Sequence, residues 1–148
     1  MATVLAVCTS EKKGMRKPVI PEGVLQENFG FKGDAHADSG THRQVSLLAM
    51  ESIAKMQAQG LDVGPGDFAE NITTEGITVY ELPVGTRLNI GTDALVEVTQ
   101  IGKECHDRCA IYEQAGTCVM PLEGIFVRVL RGGRVKAGDA IQVIEENE

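Results

Sequence analysis

Three of the four cysteines in this 148-residue chain, Cys105, Cys109 and Cys118, fall within fourteen residues of one another. The first two lie in Gly102-Lys-Glu-Cys-His-Asp-Arg-Cys109, beside His106. A thiol does chemistry as its thiolate, as a nucleophile or as a metal ligand. Lys103, His106 and Arg108 favour that ionised form, and Glu104 and Asp107 oppose it. Three readings stand side by side. Cys105 is a reactive or metal-ligating thiolate, with Cys109 or Cys118 as partner. Alternatively Cys105, His106, Cys109 and Cys118 hold zinc, although a single C-x3-C arm is looser than the usual paired spacing. In the third reading all three thiols are structural.

A second concentration of polar groups runs from Gly33 to Gln44, where Asp34, His36, Asp38, His42 and Arg43 fall within ten residues. It holds two of the three histidines of the chain. Such a loop can bind a metal, or an anion through Arg43, His42 and the N–H groups at its glycines. It can equally be a solvated loop in which Asp34 caps a turn. A third segment, Gly66-Asp-Phe-Ala-Glu-Asn-Ile-Thr-Thr-Glu-Gly76, offers Glu70 and Asn71 to a pocket or, on the plainer reading, to turn backbone groups. Asn71-Ile-Thr73 also matches a glycosylation sequon, which has no use in a cytoplasmic chain. The chain has no P-loop, dinucleotide fingerprint or G-x-S-x-G elbow.

The elements that must position these loops are mostly strands. Residues 2–8, 23–27, 43–48, 71–74, 87–90, 95–101, 125–130 and 140–144 are short and apolar or β-branched, with Gly-containing turns between several of them. Short strands at this spacing predict a barrel or sandwich. Leu47, Met50, Ile53, Ala54 and Met56 recur at helical spacing ahead of Gly60, which predicts the one substantial helix. The cysteine segment follows strand 95–101 directly, and so belongs on a rim of the sheet.

Length and composition set the frame. The size is that of a single domain, residues 1–148, able to bury a core without staples. A net charge of −7 opposes a nucleic-acid footprint, which needs clustered Lys and Arg. The basic run Lys12, Lys13, Arg16 and Lys17 reads as a solvated loop. No apolar stretch approaches the ~20 residues of a membrane span. The apolar start precedes its basic residues, the reverse of a secretory signal, so a cytoplasmic, reducing setting is expected. Clustered thiols there indicate metal, redox or sulfur handling rather than disulfides. Cys8, inside the first strand, is expected in the core.

Taken in order, these segments resemble the MOSC domain, named for the C-terminal region of molybdenum cofactor sulfurases. The matching pieces are Gly33-Asp34-x-His36-x-Asp38 with His42-Arg-Gln44, then Phe68-Ala-Glu70-Asn71-Ile-Thr-Thr-x-Gly76 and Gly85-Thr-Arg87-Leu-x-Ile-Gly91. The strand ending at Ile101 with Cys105 beyond it, and Gly124-Ile-Phe-x-Arg-Val-Leu-x-Gly-Gly-x-Val-x-x-Gly-Asp139, complete the series. Many relatives carry His-Gly-Gly in place of His42-Arg43-Gln44, and a single site cysteine.

The resemblance implies a mainly β fold with one or few short helices, a closed or nearly closed barrel of the pyruvate-kinase-barrel-like kind. It implies a pocket built from the two polar loops and the cysteine loop. Cys105 occupies the position thought to ligate molybdenum or to carry sulfur as a persulfide. Asp34, His36, Asp38, His42, Arg43, Glu70, Asn71 and Arg87 are then candidate contacts to the molybdenum cofactor (molybdopterin), with Arg128 a further phosphate ligand. The pyridoxal-phosphate desulfurase domain of longer relatives is absent from this sequence. The implied partners are molybdoenzymes or cofactor-synthesis proteins. The implied role is that of a carrier or handler, with turnover left open. A zinc-binding or protein-interaction module using Cys105, Cys109 and Cys118 is the alternative.

Overall fold

The computed structural model describes residues 2–10, 18–34, 37, 40, 44–60, 62–68, 70–101 and 124–144. Among these residues, eleven strands and one α-helix follow in the order β1 (Thr3–Cys8), β2 (Val19–Ile20), β3 (Glu22–Gln26), β4 (Gly30–Phe31), β5 (Val45–Ala49), α1 (Met50–Gln57), β6 (Ile72–Glu75), β7 (Arg87–Ile90), β8 (Ala94–Ile101), β9 (Ile125–Arg131), β10 (Gly133–Lys136) and β11 (Ile141–Ile144). A 3₁₀ turn over Val79–Glu81 lies between β6 and β7. The mainly β expectation holds, and so does the single α-helix among the described residues.

Apolar alternation explains most of these strands. In β8, Ala94, Val96 and Val98 turn inward, and Leu95, Glu97 and Thr99 face outward, partly exposed. Inward residues of β1, β5, β6, β7, β8, β9 and β11 meet Leu25 and Phe31 of the small sheet in one core. β5 lacks alternation and is buried along its whole length. Its outward Leu48 is covered by Ile53 and Met56 of α1, together with Val63, Phe68 and Phe126. A strand covered on both faces reads as a continuous apolar run. Leu47, which falls both in the expected strand 43–48 and in the helical pattern, sits in β5, and the strand continues to Ala49 before the chain turns into α1. The parallel pairing of β5 with β6 requires a crossover, and α1 supplies it.

The strands form an eight-stranded sheet, β11-β7-β8-β9-β5-β6-β1-β2, and a three-stranded one, β10-β3-β4. Among the described residues neither closes on itself, so of the closed or nearly closed barrel that the resemblance implies, full closure is not confirmed. β2 takes the Val7–Cys8 end of the outer edge of β1. At the opposite end, that edge meets the start of β11 and the turn before it, through an isolated Thr3–Ala140 bridge and Ile141 N–H donating to Ala2 O at 2.9 Å. Val4 N–H donates to Asp139 O at 2.8 Å and Gly138 N–H to Val4 O at 2.7 Å. Among the described residues, these few bonds rather than a strand ladder bridge the two ends of the sheet.

Candidate functional site

Asn71, immediately before β6, ties three segments together. Its Oδ1 accepts from Ser46 N–H at 3.0 Å and from the Ser46 hydroxyl at 3.3 Å. Its Nδ2 donates to Cys8 O at 3.1 Å. Its own backbone donates to Ser46 O at 2.9 Å and accepts from Cys8 N–H at 2.7 Å. Asn71 is fully buried, so an amide that could carry a glycan is spent on the frame instead. An amide suits the position because it offers an acceptor to one strand and a donor to another.

Two further side chains fasten backbone at the same end of β1 and β5. Asp34, buried, accepts from Ser10 N–H at 3.0 Å, two residues beyond the Cys8 that Asn71 holds. Gln44, also buried, accepts from Val129 N–H at 3.0 Å and donates to Asn28 Oδ1 at 3.0 Å. Asn28 itself adopts a left-handed φ of 53°. Gly30 shows how tightly this corner is packed: at φ +128°, an added Cβ would stand 2.6 Å from Gln44 O. The loop that carries Asp34 is thus pinned before and after residues 35–43.

Glu70 faces the other way, into the turn beyond α1. Its carboxylate is fully buried and accepts from Gly66 N–H at 2.9 Å, the Thr73 hydroxyl at 2.6 Å and Phe68 N–H at 3.3 Å. Gly66 has a φ of +86°, the left-handed region that favours glycine. Burial pushes the Glu70 carboxyl above its ordinary 4.5, against the opposing pull of Thr73 and the backbone donors. In this arrangement Glu70 and Asn71 hold backbone in place, and neither carries a group exposed to solvent.

Arg87 stands apart, on the outer face of β7. Cross-strand register sets it opposite Glu97, which in turn lies opposite Arg128. Arg87 Nε is 3.6 Å from Glu97 Oε2, and Arg128 reaches Oε1 with both Nε and Nη2 at 2.9 Å. Sequence reasoning found the two arginines but not Glu97. Strand register is the signal that could have found it, since residues 87, 97 and 128 fall on one face of adjacent strands.

His36, Asp38, His42, Arg43, Cys105, His106, Cys109 and Cys118 lie outside the described residues. The frame still fixes where their segments begin and end. Residues 35–43 lead into the N-terminus of β5, and residues 102–123 run from the C-terminus of β8 to the N-terminus of β9. β5 and β9 are antiparallel, with Val45 opposite Val127 and Leu47 opposite Ile125. Gln44 and Gly124 are therefore separated by four residues of strand, about 13 Å at 3.3 Å per residue. That distance is short against the 22 residues of 102–123.

The family model of the MOSC domain matches residues 32–142, well over half of the chain. The chain belongs to the MOSC domain family. This match spans both the Asp34–Gln44 loop and the cysteine segment. Solved structures agree on the fold. The YuaD protein of Bacillus subtilis superposes with a TM-score of 0.81 at 17% identity, over 96% of this chain and 94% of that one. YiiM of Geobacillus stearothermophilus gives 0.73 at 18% identity, over 98% and 76%. YiiM of Escherichia coli gives 0.69 at 19%, over 99% and 71%. No curated protein matches the chain. As a MOSC domain it falls in a family associated with molybdenum cofactor sulfurase-like proteins. Among the described residues, no helix is long and apolar enough to cross a membrane.

Proposed function

We propose that this MOSC domain binds and handles a molybdenum cofactor of the molybdopterin type, with Cys105 as the ligating or sulfur-bearing thiol. The observation that carries the reading is the family match across residues 32–142, which brings the Asp34–Gln44 loop and Cys105 into one family pattern. The donor chemistry suits the ligand: a thiolate for a soft metal, and guanidinium groups for a phosphate. Among the described residues, no cluster of three His, Cys, Asp or Glu is placed to hold a metal. The proposal places the metal on Cys105, the position that looks equivalent to the family cysteine. When bound, the cofactor would supply the redox and sulfur chemistry of its molybdenum centre.

The remaining residues position and exclude. Asn71, Asp34 and Gln44 hold the ends of β1, β5 and β9, and so fix the two ends of the 35–43 loop. Arg43, His42, His36 and Asp38 are the ligand contacts proposed on that loop. Arg87 is proposed to meet the cofactor phosphate. A recipient molybdoenzyme or a cofactor-synthesis protein is the proposed partner, and a cytoplasmic setting is proposed with it.

The test is capture of molybdopterin cofactor by anaerobically purified protein. Saturable binding that is lost in Cys105→Ser and weakened in Arg43→Ala supports the reading. Unchanged binding in both variants overturns it. Intact mass under non-reducing conditions separates the two roles of the thiol, because a carrier gains the mass of one sulfur on Cys105. Stoichiometric zinc in protein purified without added metal, lost in Cys109→Ser, would favour the zinc module instead.

A further inference from the structure

Helix α1 covers the outer sheet face over Leu48 and Phe126. Further along that face the side chains of Arg87 and Arg128 are 44% and 48% exposed. Glu97 stands between them, its side chain only 17% exposed. Directly opposed residues lie about 5 Å apart, so the two arginines are spaced by about 10 Å at Cα with the carboxylate midway. One carboxylate balances one of two guanidinium groups. The trio thus carries a surplus positive charge in a chain whose net charge is −7.

The two contacts differ in a way that matters for binding. Arg128 is anchored, with Nε and Nη2 both on Oε1 at 2.9 Å. Among the described residues, Arg87 is held by a loose 3.6 Å approach of Nε to Oε2. Exposed pairs of this kind contribute little to stability, so the Arg87 contact costs little to give up. Guanidinium forks match phosphate oxygens in geometry as well as charge. Val129 N–H, next to Arg128 in β9, donates to Gln44 Oε1 at 3.0 Å, so Gln44 lies beside this stretch of β9.

We propose that Arg87 and Arg128, aligned by Glu97, form a cradle for a dianionic phosphate group. The inference rests on the cofactor-handling reading and deepens it, by assigning the ligand's phosphate to the outer face of β7–β9. Free phosphate and a phosphate ester share the chemistry, and the two arms of the test separate them.

In the first arm, the full chain is titrated with inorganic phosphate at constant ionic strength, and the arginine Nε–Hε resonances are followed. Saturable shifts confined to Arg87 and Arg128 are expected. Arg87→Ala and Arg128→Ala should each weaken the response about tenfold, in line with loss of a charge-assisted hydrogen bond. Arg134→Ala, whose partner is Glu22, should change nothing. Shifts that stay linear and spread to Arg131 and Arg134 would overturn the cradle, and the wild-type titration decides this whether or not the variants fold. In the second arm, molybdopterin cofactor replaces phosphate. Capture that depends on Cys105 but leaves both arginine signals unmoved overturns the cradle, and the Arg87 contact with it, and spares the Cys105-centred cofactor reading. Arginine shifts with phosphate, without cofactor capture, do the reverse.

Discussion

Replacing Asn71 by alanine removes the amide that joins β1, β5 and β6. Three side-chain hydrogen bonds disappear, two accepted from Ser46 and one donated to Cys8 O. Each bond contributes about 1 kcal/mol net, and a buried group deprived of its partner costs about 1–3 kcal/mol. A loss of about 3–4 kcal/mol follows, large against the roughly 5–15 kcal/mol of a typical domain. Asn71→Asp sharpens the reasoning, because shape is kept while chemistry changes. In its ionised form the introduced carboxylate sets an oxygen against Cys8 O and buries a charge with no cation bonded to it. In its protonated form it can donate to Cys8 O as the amide does. Burial raises the folded pKa of such a carboxyl above its unfolded value. The variant should therefore approach wild type below the ordinary carboxylate range and lose ground as pH rises through the folded pKa. Urea unfolding of wild type, Asn71→Ala and Asn71→Asp from about pH 4 to 8 measures both effects. An alanine cost below about 1 kcal/mol, or an aspartate deficit that does not grow with pH, would refute the reasoning.

Other consequences are simpler to check. Glu70 is raised above 4.5 in the folded state. The folded protein then holds a proton that the unfolded chain has released, so stability falls as pH rises from 4.5 through the folded pKa. Glu70→Gln should flatten that part of the unfolding profile, and an unchanged slope would contradict the assignment. Thr74 Oγ1 is buried and makes no hydrogen bond among the described residues. Thr74→Val should therefore raise stability by about 1 kcal/mol in thermal or urea unfolding. Gly30→Ala should destabilise by more than about 1 kcal/mol, because its Cβ meets Gln44 O at a left-handed φ.

Strands were legible in the sequence wherever one face meets the core and the other meets water. Arg87–Ile90 and the strand ending at Ile101 were read with correct or nearly correct bounds because their alternation survives burial. β10 was not read as a strand, since it opens on Gly133 and its only deeply buried residue is Val135. Barrel closure was not legible, because whether Ala2–Val4 meet a strand or a turn depends on long-range register. The same limit applies to the site. Asn71 and Glu70 were visible as polar residues before an apolar alternation, but only the fold shows what they bond. Ser46, Ser10 and Glu97 gave no local signal, for their roles arise from partners on other segments: Asn71, Asp34 and the two arginines Arg87 and Arg128.

Cys105 is the thiol through which this MOSC domain is proposed to hold the molybdopterin cofactor. Anaerobic equilibrium binding of molybdopterin cofactor to wild type and Cys105→Ser, with bound molybdenum counted per chain, tests this directly. About one molybdenum per wild-type chain, and none on a folded Cys105→Ser variant, is the predicted result. Equal molybdenum on both proteins, or none on either, would contradict it.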